Sequence, residues 1–252
     1  MTLRPLLLCI ALATLALAPE ALAQTANPLR LSVERAFGVG YSSFTASSTT
    51  MVGGTTVTRE TTVTGIGVSL FGQGYNAITP AATLGALVPT QQLPRLALDY
   101  ELGSHLTVGA SAFLSYGSYT GADGDGASAF GFGLAPRVGY SLSLGDRLAF
   151  WPRVGVTFAY SSSSPLRASS GAVASSATSS YTTLALNLEP TLVYQLATNF
   201  GLTAGVAVDV PFVGTLTTST TLTSGGSTTE STRDSTLTQL YFGLQLGVMG
   251  RF

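Results

Sequence analysis

The sequence predicts an all-β fold: an antiparallel up-and-down β-barrel of eight to ten strands, closed and with a filled lumen. Three observations predict it. Apolar side chains recur at every second position through most of the chain. The positions between them hold mainly Gly, Ser, Ala and Thr rather than Lys and Glu. The connections between alternating segments are short and long by turns.

Composition narrows the class before any pattern is read. Charged residues make up 9% of the 252 residues, against roughly 25% in soluble domains. Hydrophobic residues stand at 45%, and Gly alone numbers 29. A typical cytosolic enzyme, whose surface needs Lys, Asp and Glu, is excluded. The net charge of -1 offers phosphates no basic patch, so nucleic acid is excluded as a partner. The apolar content is too high for disorder.

The first segment reads as an export signal. Met1 to Arg4 is a short basic region, and Leu6 to Ala18 is an apolar core too short to span a bilayer as a helix. Ala21-Leu22-Ala23 supplies a small-x-small cleavage pattern before Gln24. Residues 1–23 are therefore expected to be cleaved, leaving 24–252 as a single barrel domain. Cys9, the only cysteine, lies within the apolar core and leaves with the leader, so the mature chain has no thiol, disulfide or thiolate metal site.

The strands follow in order. Segments 30–44, 61–72, 95–103 and 105–119 alternate, the first least cleanly because Arg35 falls on its apolar face. In 130–144 the even positions from Phe130 to Leu144 are all apolar, Pro136 among them, and the odd positions are Gly131, Gly133, Ala135, Arg137, Gly139, Ser141 and Ser143. Successive strand side chains point to opposite faces, so one face is apolar and the other small or polar. The same split runs through 148–160, 184–196, 200–212 and 242–252. That makes nine segments, whereas single-chain bacterial barrels use an even number. Either 73–93, with Pro80 and Pro89, hides a tenth strand, or one early segment belongs to a loop and eight remain. Bulges are expected at Pro136, Pro152 and Pro190, because a closed barrel has no edge to absorb a missing N–H.

A soluble β-sandwich also alternates. Two features favour the barrel. Small residues on the polar face suit a narrow enclosed lumen better than a wet surface. Aromatics also gather near both ends of the apolar faces: Phe130 and Tyr140, ten residues apart, are separated by about 26 Å along the barrel normal at a tilt near 40°. That matches the apolar band of a membrane barrel. Short turns are expected at Gly103-Ser104, Gly145-Asp146-Arg147 and Ala197-Thr198-Asn199, and long polar loops near 45–60, 120–128, 161–180 and 214–235. Gly53-Gly54 and Gly225-Gly226 read as hairpin tips within two of these loops.

The C-terminus reads Gln245-Leu246-Gly247-Val248-Met249-Gly250-Arg251-Phe252. It resembles the C-terminal assembly signal of bacterial outer-membrane proteins, polar-x-Gly-x-x-hydrophobic-x-Phe, carried here by Gln245, Gly247, Val248 and Phe252. Gly250 departs from it, since a bulky residue is usual there. With the leader and the alternation, the chain resembles the small outer-membrane β-barrel class that includes OmpA-like, OmpX-like and OmpW-like proteins. The resemblance implies a Gram-negative outer membrane as location. It implies outer-membrane lipids, lipopolysaccharide and the barrel-assembly machinery as partners, and no cofactor.

Lumen-facing parity collects Glu34, Arg95, Asp99, Glu101, Arg137, Arg153, Glu189, Asp209 and Arg251. In a narrow barrel these charges are expected to pair across the interior and brace it, because unpaired buried charges are costly. The alternative is a charged constriction that passes ions or small or hydrophobic solutes, a porin-like role. A catalytic role comes third. Known small-barrel enzymes resemble lipid A modifying proteins that use His with Ser or Asp, and this chain has one histidine, His105, beside Ser104 at a short turn. Sequence adjacency establishes no nucleophile–base geometry, so no catalytic residue is assigned. Asp123-Gly124-Asp125-Gly126 lacks the later ligands and closing Glu of a calcium loop and reads as a turn, and no metal site is assigned. The expected function is that of a non-catalytic outer-membrane barrel with a structural or surface-interaction role, any surface ligand meeting its Ser/Thr-rich loops.

Overall fold

The structure, a computed structural model, describes residues 28–52, 55–70, 73–76, 93–103, 105–120, 126–164, 168–170, 173–224 and 227–252. Residues 1–27, which hold the expected leader with Cys9 and the expected cleavage point at Gln24, together with Ser104, Pro80, Pro89, Asp123–Asp125 and the glycine pairs at 53–54 and 225–226, lie outside the described residues.

The strands are β1 (Leu29–Val52), β2 (Thr55–Leu70), β3 (Gln73–Asn76), β4 (Arg95–Glu101), β5 (Leu106–Thr120), β6 (Gly126–Tyr140), β7 (Leu142–Ser143), β8 (Leu148–Ser164), β9 (Ala168–Ser170), β10 (Val173–Ala197), β11 (Phe200–Ser224) and β12 (Ser227–Arg251). All pairings are antiparallel, and β12 returns to β1. Among the described residues the ring is β1-β4-β5-β6-β8-β10-β11-β12, eight strands. The return of β12 to β1 closes the ring, which is what a lipid environment demands; among the described residues, Phe113–Thr120 of β5 and Thr55–Ile66 of β2 have a strand partner on one side only.

Two of the early segments share one edge of β1. Strand β4 pairs with Leu29–Glu34, and β2 pairs with Phe37–Val52 along the same side. Strand β3 adds four residues to the far edge of β2, so 73–76 is a short addition rather than a further wall strand.

The expected long loops are in large part strand. Strands β10, β11 and β12 are each 25 residues long, where a membrane crossing takes about 9–11. Pairing continues to Val52↔Thr55 and Ser224↔Ser227, so the polar segments 45–60 and 214–235 form hairpins projecting beyond the barrel. The Ser/Thr composition suggests loops, yet β-branched Thr fits an extended backbone, and paired hydroxyls hold neighbouring strands together. Ser219 and Thr232 lie 3.2 Å apart, Ser164 and Thr178 3.1 Å, and Thr45 and Thr62 3.1 Å.

Bulges fall elsewhere than the three prolines. Pairing lapses at Ala135–Pro136 opposite Val156–Thr157, and at Glu189–Pro190 opposite Val206–Ala207, then resumes in the same register. Pro152 faces Pro190 directly with no shift. A proline here deletes a ladder hydrogen bond without adding a residue. The irregularities within the wall lie between Val33 and Phe37 on β1 and around Pro211–Val213 on β11, with a further shift beside the turn at Gln195–Ala197. Near Pro211, one extra residue turns the inward face from Asp209 to Gly214, and a Cβ at Gly214 would overlap the carbonyl oxygen of Leu237.

Outside, exposed apolar side chains on the wall strands form a belt facing away from the lumen. Tyr140, Tyr194, Phe200 and Phe252 lie at its turn end, and Tyr41, Tyr116, Phe130 and Phe212 at the other, all exposed. Inside, polar side chains are buried: the inversion of a soluble protein's distribution.

Candidate functional site: a buried ion network in the barrel lumen

Arg137 sits at the centre of the lumen. Its guanidinium binds Glu34 (Nη1 to Oε2, 2.6 Å), Asp99 (Nη2 to Oδ2, 2.5 Å) and Glu189 (Nη1 to Oε2, 3.2 Å). Its Nε donates a further hydrogen bond to Asp99 Oδ1 at 2.9 Å, so the planar fork grips that carboxylate bidentately. Arg153 binds Glu34 and, at 3.0 Å, Glu189. Arg35 reaches Glu189 at 2.9 Å and Asp209 at 3.2 Å, while Arg95 lies 3.8 Å from Asp209. Asn187 donates to the other oxygen of Asp209 at 2.6 Å.

The cluster balances four carboxylates, Glu34, Asp99, Glu189 and Asp209, against four guanidiniums, Arg35, Arg95, Arg137 and Arg153. All eight side chains are at most 3% exposed. They come from β1, β4, β6, β8, β10 and β11, so the pairs tie together strands far apart around the ring.

A second group lies nearer the short turns. Arg30 and Arg251 both bind Glu101 Oε2, the latter at 3.1 Å, and His105 Nδ1 lies 3.4 Å from Oε1. Between the groups stands Trp151, fully buried. Arg30 stacks 4.7 Å from its ring centroid and Arg153 4.5 Å, a double cation–π arrangement, and its Nε1 donates to Thr107 Oγ1 at 2.9 Å. Gly139 makes room for it: a Cβ there would come within 2.9 Å of Trp151 Nε1 and 2.8 Å of Arg153 Cγ.

All nine charged residues collected by parity thus lie on the inner side. Eight are buried, and Arg251 is partly exposed at the mouth. They divide into two groups rather than one: Glu101 and Arg251 belong with Arg30, and the other seven form the central cluster with Arg35. Arg30 and Arg35 are the two partners missing from the parity set. Arg30 shares the even parity of Glu34, so the alternation itself marks it. Arg35 carries only a negative signal in the sequence, a charge on a lipid-facing parity. It turns inward because its backbone is left-handed, at φ 54°, inside the β1 bulge where Glu34, Arg35 and Ala36 together oppose Gly247. Such a φ is unusual for a non-glycine residue, and the ion pairs to Glu189 and Asp209 hold it there.

At the C-terminus, Gln245 is buried and Gly247 packs where a Cβ would meet Thr203 Oγ1 at 2.7 Å; Val248 and Phe252 face outward. A Cβ at Gly250 would meet the exposed Phe252 ring at 3.0 Å, a contact that a small turn of the ring relieves.

The fold and the lumen define a class, an outer-membrane-type transmembrane β-barrel with an interior ion network. Solved structures similar to this chain include the major outer membrane protein of Thermus thermophilus (16% identity, TM-score 0.49, 89% of this chain and 99% of that one). They also include the outer membrane protease OmpT of Escherichia coli (10%, 0.41, 92% and 99%) and the outer membrane protein AlkL in lipid bilayers (14%, 0.38, 93% and 94%). No protein-family model and no curated protein matches the chain.

Proposed function

We propose that the protein is an integral, non-catalytic component of the bacterial outer membrane, with a filled lumen braced by its ion network and a structural or surface-interaction role. The single observation that carries this reading is the central cluster itself. Four carboxylates and four guanidiniums meet across the bore with almost no solvent exposure. Isolated charges in such a space would cost several kcal/mol each, and mutual pairing offsets that cost. A conducting constriction keeps its charges hydrated so that ions can enter and leave; buried carboxylates each held by guanidiniums do not offer such a path.

Export would remove residues 1–23 and leave Gln24 as the mature N-terminus. The projecting Ser/Thr hairpins would stand among lipopolysaccharide sugars and offer the surface at which a ligand could meet the protein. The apolar belt would contact outer-membrane lipid, and Gln245, Gly247, Val248 and Phe252 would engage the assembly machinery.

Planar-bilayer recording tests the braced-barrel reading. The wild-type protein should give no reproducible conductance steps, and Arg153→Ala should stay silent while lowering thermal stability in detergent. Regular steps from the wild type, or raised conductance in Arg153→Ala with unchanged stability, would establish a channel instead.

A further inference from the structure

At the turn end of the barrel, below Trp151, lies a polar chamber of about 180 Å³ that the central network does not use. Its walls include Arg30, Glu101, Arg147, Arg251 and Gln195. Two guanidiniums, Arg30 and Arg251, converge on one and the same oxygen, Glu101 Oε2. Arg30 is buried, whereas the Arg251 side chain is 26% exposed and lines the chamber with Arg147. Charges on the chamber wall count three Arg, with Arg147, against two acids, Glu101 and Asp146. The central cluster above is neutral, so the chamber wall carries one excess cation, with Arg147 and Asp146 at its solvent-exposed side.

We propose that this periplasm-facing chamber is an oxyanion site, taking a phosphate or carboxylate group between Arg251 and Arg147, with Arg30 adding its charge from behind. Paired guanidinium forks present donors that match such groups geometrically. The volume admits one such group with a few waters and no nucleotide-sized ligand. The site is independent of whether the lumen conducts. The anion comes either free from solution or as the headgroup of an anionic lipid of the inner leaflet.

The experiment uses the full-length mature protein in zwitterionic nanodiscs, titrated with inorganic phosphate. Trp151, the only tryptophan, stacks on Arg30 and reports occupancy through its fluorescence. Saturable quenching or enhancement is expected, with Arg251→Gln weakening it about tenfold, the loss of one charge-assisted contact. Arg147→Gln should weaken it as well, and both variants should keep the heat-modifiable gel migration of the folded barrel. In nanodiscs containing phosphatidylglycerol, competition against added phosphate identifies the headgroup as the source; unchanged phosphate binding identifies the free anion. A non-saturating response, or one that both variants leave unchanged, overturns the proposal.

Discussion

The lower barrel and the projecting hairpins are built from the same strands, yet they obey different rules. On β12, every residue from Ser227 to Asp234 is exposed; from Leu237 to Met249 buried residues alternate with more exposed ones without a break. The upper part has water on both sides, so its two faces hold the same hydroxyl residues. The lower part has an apolar surround outside and a charged interior within, so its faces diverge. Strict alternation therefore marks where the environment becomes two-sided, and the strand itself carries on regardless.

Substitutions can break this contrast, and the largest effect belongs to the network. Glu189 is fully buried and binds Arg35, Arg137 and Arg153. Glu189→Ala leaves three guanidiniums with one acid fewer and should cost about 3–5 kcal/mol, or more if the chain cannot rearrange. Urea unfolding in lipid vesicles, followed through Trp151 fluorescence, measures it; a loss below about 1 kcal/mol would mean the lumen is wet.

Next comes the belt. Val206 lies on the outward parity of β11, between Ala204 and Val208. Val206→Arg should destabilise by about 2–4 kcal/mol if it sits near the midplane. Ser219→Arg, on the projecting part of the same strand and exposed, should change stability by no more than about 0.5 kcal/mol. Equal effects at the two positions would erase the boundary between the regions. Ser163 cannot serve as the exposed control that its place in a serine run suggests, because it lies in β8 and is buried.

A smaller change probes the seal. Gly139→Ala pushes a methyl against Trp151, Arg153 and Thr107, and overpacking of this kind costs about 1–3 kcal/mol. A shift in the Trp151 emission maximum should accompany the loss, since its hydrogen bond to Thr107 is disturbed. Smallest of all, Thr232→Val removes one hydroxyl pair with Ser219 in the projecting hairpin and should alter global stability by about 0.2–1 kcal/mol at most. Hydrogen exchange confined to the adjoining amides of β11 and β12 would register it.

Much of this is legible in the sequence because a two-residue period has only two phases. Parity alone gives Arg137, Arg153, Glu189 and Asp209 a common side. What it does not give is the tertiary partner: nothing in the alternation says that Glu34 meets Arg137 across the bore while Glu101 meets Arg30 near the mouth. Residue composition also misleads at strand ends. Thr217-Thr218-Ser219-Thr220-Thr221 has no apolar face, so pattern reading assigns a loop, while cross-strand hydroxyl pairs and β-branching keep it extended. Prolines mislead in the opposite way. Pro136, Pro152 and Pro190 look like breaks, but a single missing N–H leaves the register intact.

The bulge on β1 has a consequence for how such walls acquire new chemistry. Val33 and Phe37 both face outward, as do their partners Val248 and Leu246, although three residues on one strand oppose one on the other. Two added residues equal one full pleat. An insertion of that length is phase-neutral: it delivers Arg35 to the interior and turns none of the following side chains to the wrong solvent. The single extra residue near Pro211 does the reverse, exchanging inside for outside along the remainder of β11. Even-length insertions are thus the silent route by which a barrel strand can gain an inward functional group, and Arg35 occupies such a port.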